Sequence, residues 1–327
     1  MGKAGIVNAA VADQPLVQVP AATDFWDASV PVKPIAACLL PLLFLLPAAA
    51  PAARWSEPEI VGIVTRAEVD EISGLAPSRT LPGHWWAIND SGSPAVLALL
   101  DEGGRYLGSV PAPVPNRDWE DLASFELDGK RYLLVADTGD NGGLRKELLL
   151  HVLEEPASLE DTPALAWSLS FRWPDGPRDC EAVTVDPVRG EVLLVSKKRV
   201  PPELFRVPLK AEGLQVAERL GTLQGVPQPT AEDLERNPVY GRYRSQVTGA
   251  DLSPDGRILA VLTYRALHYV ERRPDEAWAQ ALARPVQSLP MPWMPQAEAV
   301  AFSVDGRELW IGSEQIPSPI LRYRLED

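Results

Sequence analysis

The sequence predicts an all-β fold, a five-bladed β-propeller whose last blade is closed by the N-terminal strand of the mature chain. Three observations support this prediction: a strand–turn–strand unit that recurs five times, prolines and glycines spread along the chain, and one leftover strand near the start. Five repeats that contain only short strands are typical of propeller blades. The 33 prolines and 23 glycines punctuate turns, and only the connectors at 230–236 and 275–283 look helical.

Each repeat begins with an apolar-alternating strand, passes through a tight turn and returns in a more continuously apolar strand. Four of the turns carry glycine, as in Asp255-Gly256, because a short hairpin loop needs a positive φ. A third strand follows in every unit, and a fourth strand follows in the first four. The paired first and second strands occupy residues 71–90, 119–137, 180–196, 248–263 and 297–314.

The fifth repeat has no room for a fourth strand before Asp327. The apolar segment 59–65, in contrast, belongs to no repeat. Pairing this segment with the fifth repeat closes the ring and removes free sheet edges. The strand count therefore predicts five blades, with the N-terminal strand completing the last one.

An apolar run at 35–53 predicts export. The run ends in small residues, and Ala50 and Ala52 stand at the two positions that a signal peptidase inspects. Three prolines interrupt the run, which favours a cleaved signal over a stable membrane helix. We therefore expect a leader at 1–53, a propeller domain at 54–327, and a periplasmic or extracellular location. An uncleaved leader would anchor the protein to the membrane.

The net charge of −14, with only three histidines, argues against a nucleic-acid partner, which requires a basic stripe. An acidic surface suits a cation or a neutral ligand. The sequence contains no nucleophile elbow, phosphate-binding loop, zinc-protease helix or dinucleotide motif, so a serine hydrolase is unsupported. We expect a monomer whose small-molecule or envelope ligand is unknown.

Carboxylates recur at one end of the repeated strands. In a propeller the innermost strand lines the channel and the second strand returns beside it, so the start of one and the end of the other meet at one mouth. Crowded carboxylates repel one another, and calcium accepts six to eight oxygen ligands, whereas zinc or copper would want histidine or thiolate. The alternative is that each glutamate only hydrogen-bonds or ion-pairs with a neighbouring blade. The candidate metal ligands are Glu71, Asp90, Glu120, Asp137, Asp140, Glu181 and Glu298.

Further polar and aromatic side chains are expected at the same mouth. The loop 137–143 either wraps an ion or forms a glycine-rich turn stabilised by its aspartates. Two functions remain open: a binding or scaffold module, and a calcium-assisted hydrolase of phosphomonoesters or esters. In the hydrolase, metal-bound water attacks and two lysines or an arginine neutralise the substrate anion. The candidate ligand-binding residues are Trp119, Lys197, Lys198, Tyr264, Arg265 and Glu314.

Five short motifs in order resemble the SdiA-regulated, YjiK-like family of bacterial β-propellers from about residue 58 to the end. This resemblance implies a five-bladed propeller, an envelope location and a calcium site with Glu120, Glu181 and Glu298 as acidic ligands. The fourth repeat departs from the pattern, with Thr248 at the glutamate position. A looser similarity is to the calcium-dependent β-propeller phytases and phytase-like esterases. The motifs are ISGL at 72–75, WEDL at 119–122, CEAV at 180–183, VTGA at 247–250, and PQAEAV at 295–300 followed by GSE at 312–314.

Overall fold

A computed structural model describes residues 53–326 and places about half of them in the strands of five β-sheets. The innermost strands of the sheets contact one another in a closed ring. The predicted five-bladed β-propeller is therefore confirmed. The predicted leader lies outside the described residues, apart from its last position. Within 53–326 no helix is long and apolar enough to span a membrane.

The blades follow one another along the chain, and within each blade the strands run from the channel outward. After β1 (Glu59–Val64), the first blade contains β2 (Ile72–Pro77), β3 (His84–Asn89), β4 (Val96–Asp101) and β5 (Tyr106–Pro111). The second contains β6 (Trp119–Leu127), β7 (Lys130–Asp137), β8 (Leu148–Glu154) and β9 (Leu165–Arg172). The third contains β10 (Ala182–Asp186), β11 (Glu191–Val195), β12 (Glu203–Pro208) and, after β13 (Leu214–Val216), β14 (Glu218–Thr222). The fourth contains β15 (Val247–Leu252), β16 (Ile258–Thr263), β17 (Ala266–Glu271) and β18 (Gln287–Pro290), and the fifth β19 (Gln296–Phe302), β20 (Glu308–Glu314) and β21 (Ser318–Arg324).

The N-terminal strand closes the fifth blade. Strand β1 pairs antiparallel with β21, which places Glu59 opposite Arg322 and Val64 opposite Ser318. The carboxylate of Glu59 also accepts a hydrogen bond of 2.9 Å from the Arg322 guanidinium. The prediction that segment 59–65 completes the last blade is thus confirmed, and the first and last strands are held in one sheet.

One strand was not predicted. Strand β13 pairs parallel with β9, with Leu214 opposite Ser170, so a segment of the third repeat extends the second blade. Three residues are too few to show an alternating pattern, and Leu214 and Val216 both stay about half exposed. The short strand therefore carries no burial signal in the sequence.

The two expected helical connectors are present as α1 (Ala231–Arg236) and α2 (Trp278–Ala281). Helix α1 is fixed by a reciprocal cap, in which the Thr230 hydroxyl accepts from the Asp233 amide and the Asp233 carboxylate accepts from the Thr230 amide. Two single 3₁₀ turns lie at Ala67–Val69 and Gly241–Tyr243. All of these lie in connections between strands, so the helices leave the sheets intact.

Aromatic side chains hold neighbouring blades together. The rings of Trp85 and Trp310 lie 4.6 Å apart between the first and fifth blades. Trp173 meets Phe205 edge-on at 4.9 Å between the second and third blades. Such pairs contribute about 0.5–1.5 kcal/mol beyond their area burial. The blades are therefore wedged against one another, and the channel mouth has a fixed outline.

Candidate functional site

The innermost strands share an irregularity at the channel mouth. In four blades a β-bulge separates the first residue pairs of the innermost and second strands. A bulge leaves one residue unpaired and re-aims its side chain. In the third blade the matching residue, Glu181, directly precedes β10. The five equivalent positions are Ser73, Glu120, Glu181, Thr248 and Glu298.

The bulges correct the predicted alignment of the first blade. Ser73, not Glu71, matches Glu120 and Glu181, and Glu71 is exposed to solvent. Glu71 instead stands two residues before the bulge, as Asp118 and Asp179 do. The sequence expectation missed those two aspartates as site residues. The signal for them is an Asp-x-Glu pattern that occurs at both 118–120 and 179–181.

The hydroxyl-bearing bulge residues join blades. Ser73 Oγ donates to the Trp119 carbonyl at 2.9 Å, and Thr248 Oγ1 donates to the Ala297 carbonyl at 2.7 Å. Both bonds reach the residue just before the glutamate of the next blade. The serine and threonine therefore position their neighbours' carboxylates.

Two groups of carboxylates at the mouth are close enough to hold a metal ion. One group is Asp90, Asp118 and Glu120, and the other is Glu120, Asp179 and Glu181. Within each group the candidate ligand oxygens lie within 4.8 Å of one another. Oxygens on opposite sides of a calcium ion are about 4.6–5.2 Å apart, so this spacing fits one coordination sphere. Glu120 belongs to both groups.

Glu120 is the least compensated of these carboxylates. Its side chain is 4% exposed, yet within 53–326 it has no hydrogen bond or ion pair. Burial raises the pKa of Glu120 well above its usual range, and the charge of Asp90 raises it further, while Lys197 opposes the change. A buried carboxylate without a partner is energetically costly. A cation between these groups would remove that cost.

The two aspartates beside Glu120 also lack a cationic partner in the described part of the chain. Burial raises the pKa of Asp90 to about 6, against a hydrogen bond from the Ser91 amide, and the charge of Asp118 adds to the effect. Burial likewise raises the pKa of Asp118, although the Ser91 side chain bonds to it. Arg145 and Lys197 act on the first group only from a distance, and within 53–326 no ion pair neutralises it.

The second group, in contrast, is matched by two lysines. Lys197 forms an ion pair with Glu181, and both side chains are buried. Lys198 Nζ lies 3.0 Å from Asp179 Oδ2 and donates to the Asn141 carbonyl at 3.1 Å. The two predicted ligand-binding lysines are thus already paired with carboxylates of the mouth.

Glu298 and Glu314 of the fifth blade form a separate polar cluster with Tyr264 and Gln296. Tyr264 donates its hydroxyl to Glu298 Oε1 at 2.7 Å, and Gln296 Nε2 donates to Glu314 Oε2 at 2.5 Å. Burial raises the pKa of Glu314 to about 10, and the charge of Glu298 and a hydrogen bond shared with it add to this. Glu314 therefore holds a proton at neutral pH. Within the described part of the chain, Glu298 belongs to neither carboxylate group.

The loop at 137–143 is a turn held in place by its own side-chain hydrogen bonds and an ion pair. The Asp140 carboxylate accepts the amides of Leu144 and Arg145 at 2.7 and 3.1 Å. The Arg145 guanidinium lies 2.7 Å from the fully buried Asp137 and also binds two loop carbonyls. Asp137 and Asp140, both predicted metal ligands, thus have internal partners. A Cβ at Gly139 would displace the carboxylates of Glu120 and Asp118, so the glycine leaves room for both in their present positions.

Two further predicted ligand-binding residues serve the fold. Trp119 is fully buried in the core and donates its indole N–H to the Pro115 carbonyl at 3.0 Å. Its ring therefore cannot stack on a ligand at the mouth. Arg265 Nη1 forms a 2.8 Å ion pair with Asp233 of α1 and so holds that connector beside the fourth blade.

Comparisons with known proteins leave the family unassigned. No family model matches the sequence, and no curated protein matches it, so the resemblance to SdiA-regulated and phytase-like propellers gains no support. Similar solved structures include a luciferin-regenerating enzyme, at 10% identity and a TM-score of 0.43, covering 82% of this chain and 95% of that one. Hydrazine synthase from Kuenenia stuttgartiensis matches at 12% identity and a TM-score of 0.42, over 75% of this chain and 74% of that one. A nidogen/laminin complex matches at 12% identity and a TM-score of 0.40, over 74% of this chain and 72% of that one. Similarities this weak carry no argument about function.

Proposed function

We propose that this protein is an exported envelope β-propeller that binds calcium at the channel mouth and presents the ion to a ligand or partner. Asp90, Asp118 and Glu120 are the protein ligands. The observation that carries the proposal is Glu120, a buried carboxylate with no partner in the described chain, facing two aspartates that also lack a cation. Export rests on the apolar run at 35–53 and on the resemblance to envelope propellers.

The donor atoms favour calcium among common cations. All three are carboxylate oxygens, which suit a hard cation, and the group contains no imidazole or thiolate. Calcium accepts six to eight oxygens, so three side chains leave positions for water or for oxygens of a ligand. Asp90 and Asp118 are only partly buried, which leaves the outer side of the ion open.

A binding role is better supported than the hydrolase alternative. The hydrolase assigns Lys197, Lys198 or Arg265 to neutralise a substrate anion. Each of these cations is already paired with a carboxylate, namely Glu181, Asp179 and Asp233 respectively. The mouth therefore offers no unpaired cation among these three, and an anionic ester would meet mainly negative charge.

Titration of metal-free protein with calcium chloride tests this function. We expect one ion per chain, and at about a hundredfold excess over Kd calcium should add about 2.7 kcal/mol of stability. Glu120→Gln keeps the shape of the side chain but removes its charge. Removing only the hydrogen-bond partner of a metal ligand typically weakens metal binding about tenfold to a hundredfold. Because Glu120→Gln removes the charge of a ligand itself, it should weaken calcium binding at least about tenfold.

Glu126→Gln is the matched control, because Glu126 is exposed on the same strand, β6. It should bind calcium like the wild type. Calorimetry and thermal unfolding both report the result. If wild type and Glu120→Gln respond identically to calcium, the proposed site is wrong.

A further inference from the structure

Lys197 stands at a repeat position that is acidic in two other blades. The Lys197 amide donates to the carbonyl of Asp179 at 3.4 Å, just as the Asp90 amide donates to the carbonyl of Glu71 at 3.0 Å. Glu314 lies at the same position in the fifth blade, opposite Gln296. The third blade therefore presents a positive charge where the first and fifth present carboxyl groups.

Lys197 is buried against one member of the second carboxylate group, Glu181. Its side chain is 7% exposed and forms an ion pair with Glu181 Oε1. Its Nζ lies 5.8 Å from the centre of the Tyr264 ring, whose face favours a cation. Glu181 Oε2, in contrast, is buried and accepts no hydrogen bond within 53–326. The ammonium of Lys197 is thus a built-in cation of the second group, and at least one carboxylate oxygen of that group stays without a partner.

We propose that the mouth contains two adjacent cation positions that share Glu120, and that the ammonium of Lys197 fills the second one and limits the protein to a single metal ion. This inference rests on the proposed calcium site. It identifies Lys197 as a residue that determines metal stoichiometry. The metal ion then binds at the first position, between Glu120 and the two aspartates Asp90 and Asp118.

The charges of the two groups support this division. Together the groups contain five carboxylates, and within 53–326 the lysines paired with them are Lys197 and Lys198, both bound to the second group. Two divalent ions that share Glu120 as a ligand would be close neighbours and would repel each other strongly. A monovalent ammonium in the second position lowers that repulsion and still neutralises Glu181.

Lys197→Met tests the inference, because methionine keeps most of the side chain's length and removes its charge. We expect calorimetric titration with calcium chloride to give one ion per chain for the wild type and two for Lys197→Met. Calcium should also raise the melting temperature of Lys197→Met more than that of the wild type. Lys197→Met/Glu181→Gln removes both charges and should return to one ion.

The outcomes separate this inference from the proposed function. A wild type that binds no calcium overturns the calcium site itself. A wild type with one ion and a Lys197→Met variant that also binds one, with unchanged affinity, overturns only the role of Lys197. If Lys197→Met folds only when calcium is present, calcium has replaced the ammonium, as expected. If it stays unfolded in calcium while the double variant folds, the inference is wrong.

Discussion

Replacing Asp121 with alanine is expected to lower the free energy of unfolding by at least about 3 kcal/mol, because each buried donor left without an acceptor costs about 1–3 kcal/mol. Asp121 is fully buried. Its Oδ1 accepts the Leu122 amide at 2.8 Å, and its Oδ2 accepts the amides of Val183 at 2.8 Å and Ala250 at 3.2 Å. Three amides lose their acceptor together, and urea unfolding at neutral pH measures the loss.

Asn at the same position is the matched control. Asp121→Asn keeps one carbonyl oxygen, which can still serve the amides of Val183 and Ala250, so we expect a clearly smaller loss. Because these amides belong to the third and fourth blades, Asp121 ties three blades together immediately beside Glu120. Asp121→Ala should therefore also weaken calcium binding. Equal stability of the two variants would contradict the role of the three hydrogen bonds.

The fold could be predicted largely from the sequence because its signals are local. Each blade repeats an alternating strand, a glycine turn and an apolar return strand, and each of these reads from a few neighbouring residues. The closure by segment 59–65 followed from counting strands, since one sheet lacked a member. Strand β13 could not be predicted, because three half-exposed residues pairing with another repeat leave no periodic pattern.

The site was predicted only in part, because its geometry depends on β-bulges. A bulge adds one unpaired residue, so aligning the repeats by residue type placed Glu71 where the structure places Ser73. The mouth itself and Glu120 were predicted, since both follow from propeller topology. Which carboxylates lack a partner could not be predicted. That depends on the paths of Lys197, Lys198 and Arg145 across the connecting loops.

Asp251, a partly buried carboxylate on the innermost strand β15, makes stability depend on pH. Asp251 Oδ1 accepts the Thr184 hydroxyl and the Leu252 amide, both at 2.8 Å, and its Oδ2 accepts the Phe302 amide at 2.8 Å. Removal from water nevertheless outweighs these bonds and raises the pKa of Asp251 from 3.8 to about 6. The folded protein therefore holds this proton more tightly than the unfolded chain does.

The sign of the effect follows from that difference in proton affinity. Between about pH 4 and pH 6 the folded state binds more protons than the unfolded state, so this group's contribution to stability falls as pH rises. The contribution is fully present below about pH 4 and is lost above about pH 6. From pH 4 to pH 7 the loss should be roughly 2–3 kcal/mol, the upper figure corresponding to the full pKa difference.

Asp251→Asn isolates this contribution, because asparagine has a similar shape and does not titrate. The side-chain NH2 of asparagine would face the Phe302 N–H, so two donors would meet without an acceptor. This lowers stability by an amount that does not vary with pH. Urea unfolding of both proteins at several pH values should show the wild type losing roughly 2–3 kcal/mol relative to Asp251→Asn between about pH 4 and pH 7. The other titrating carboxylates are present in both proteins, so most of their contribution cancels in this difference. A difference that stays constant with pH would mean that Asp251 is ionised in the folded protein throughout, and that its three hydrogen bonds outweigh the loss of water.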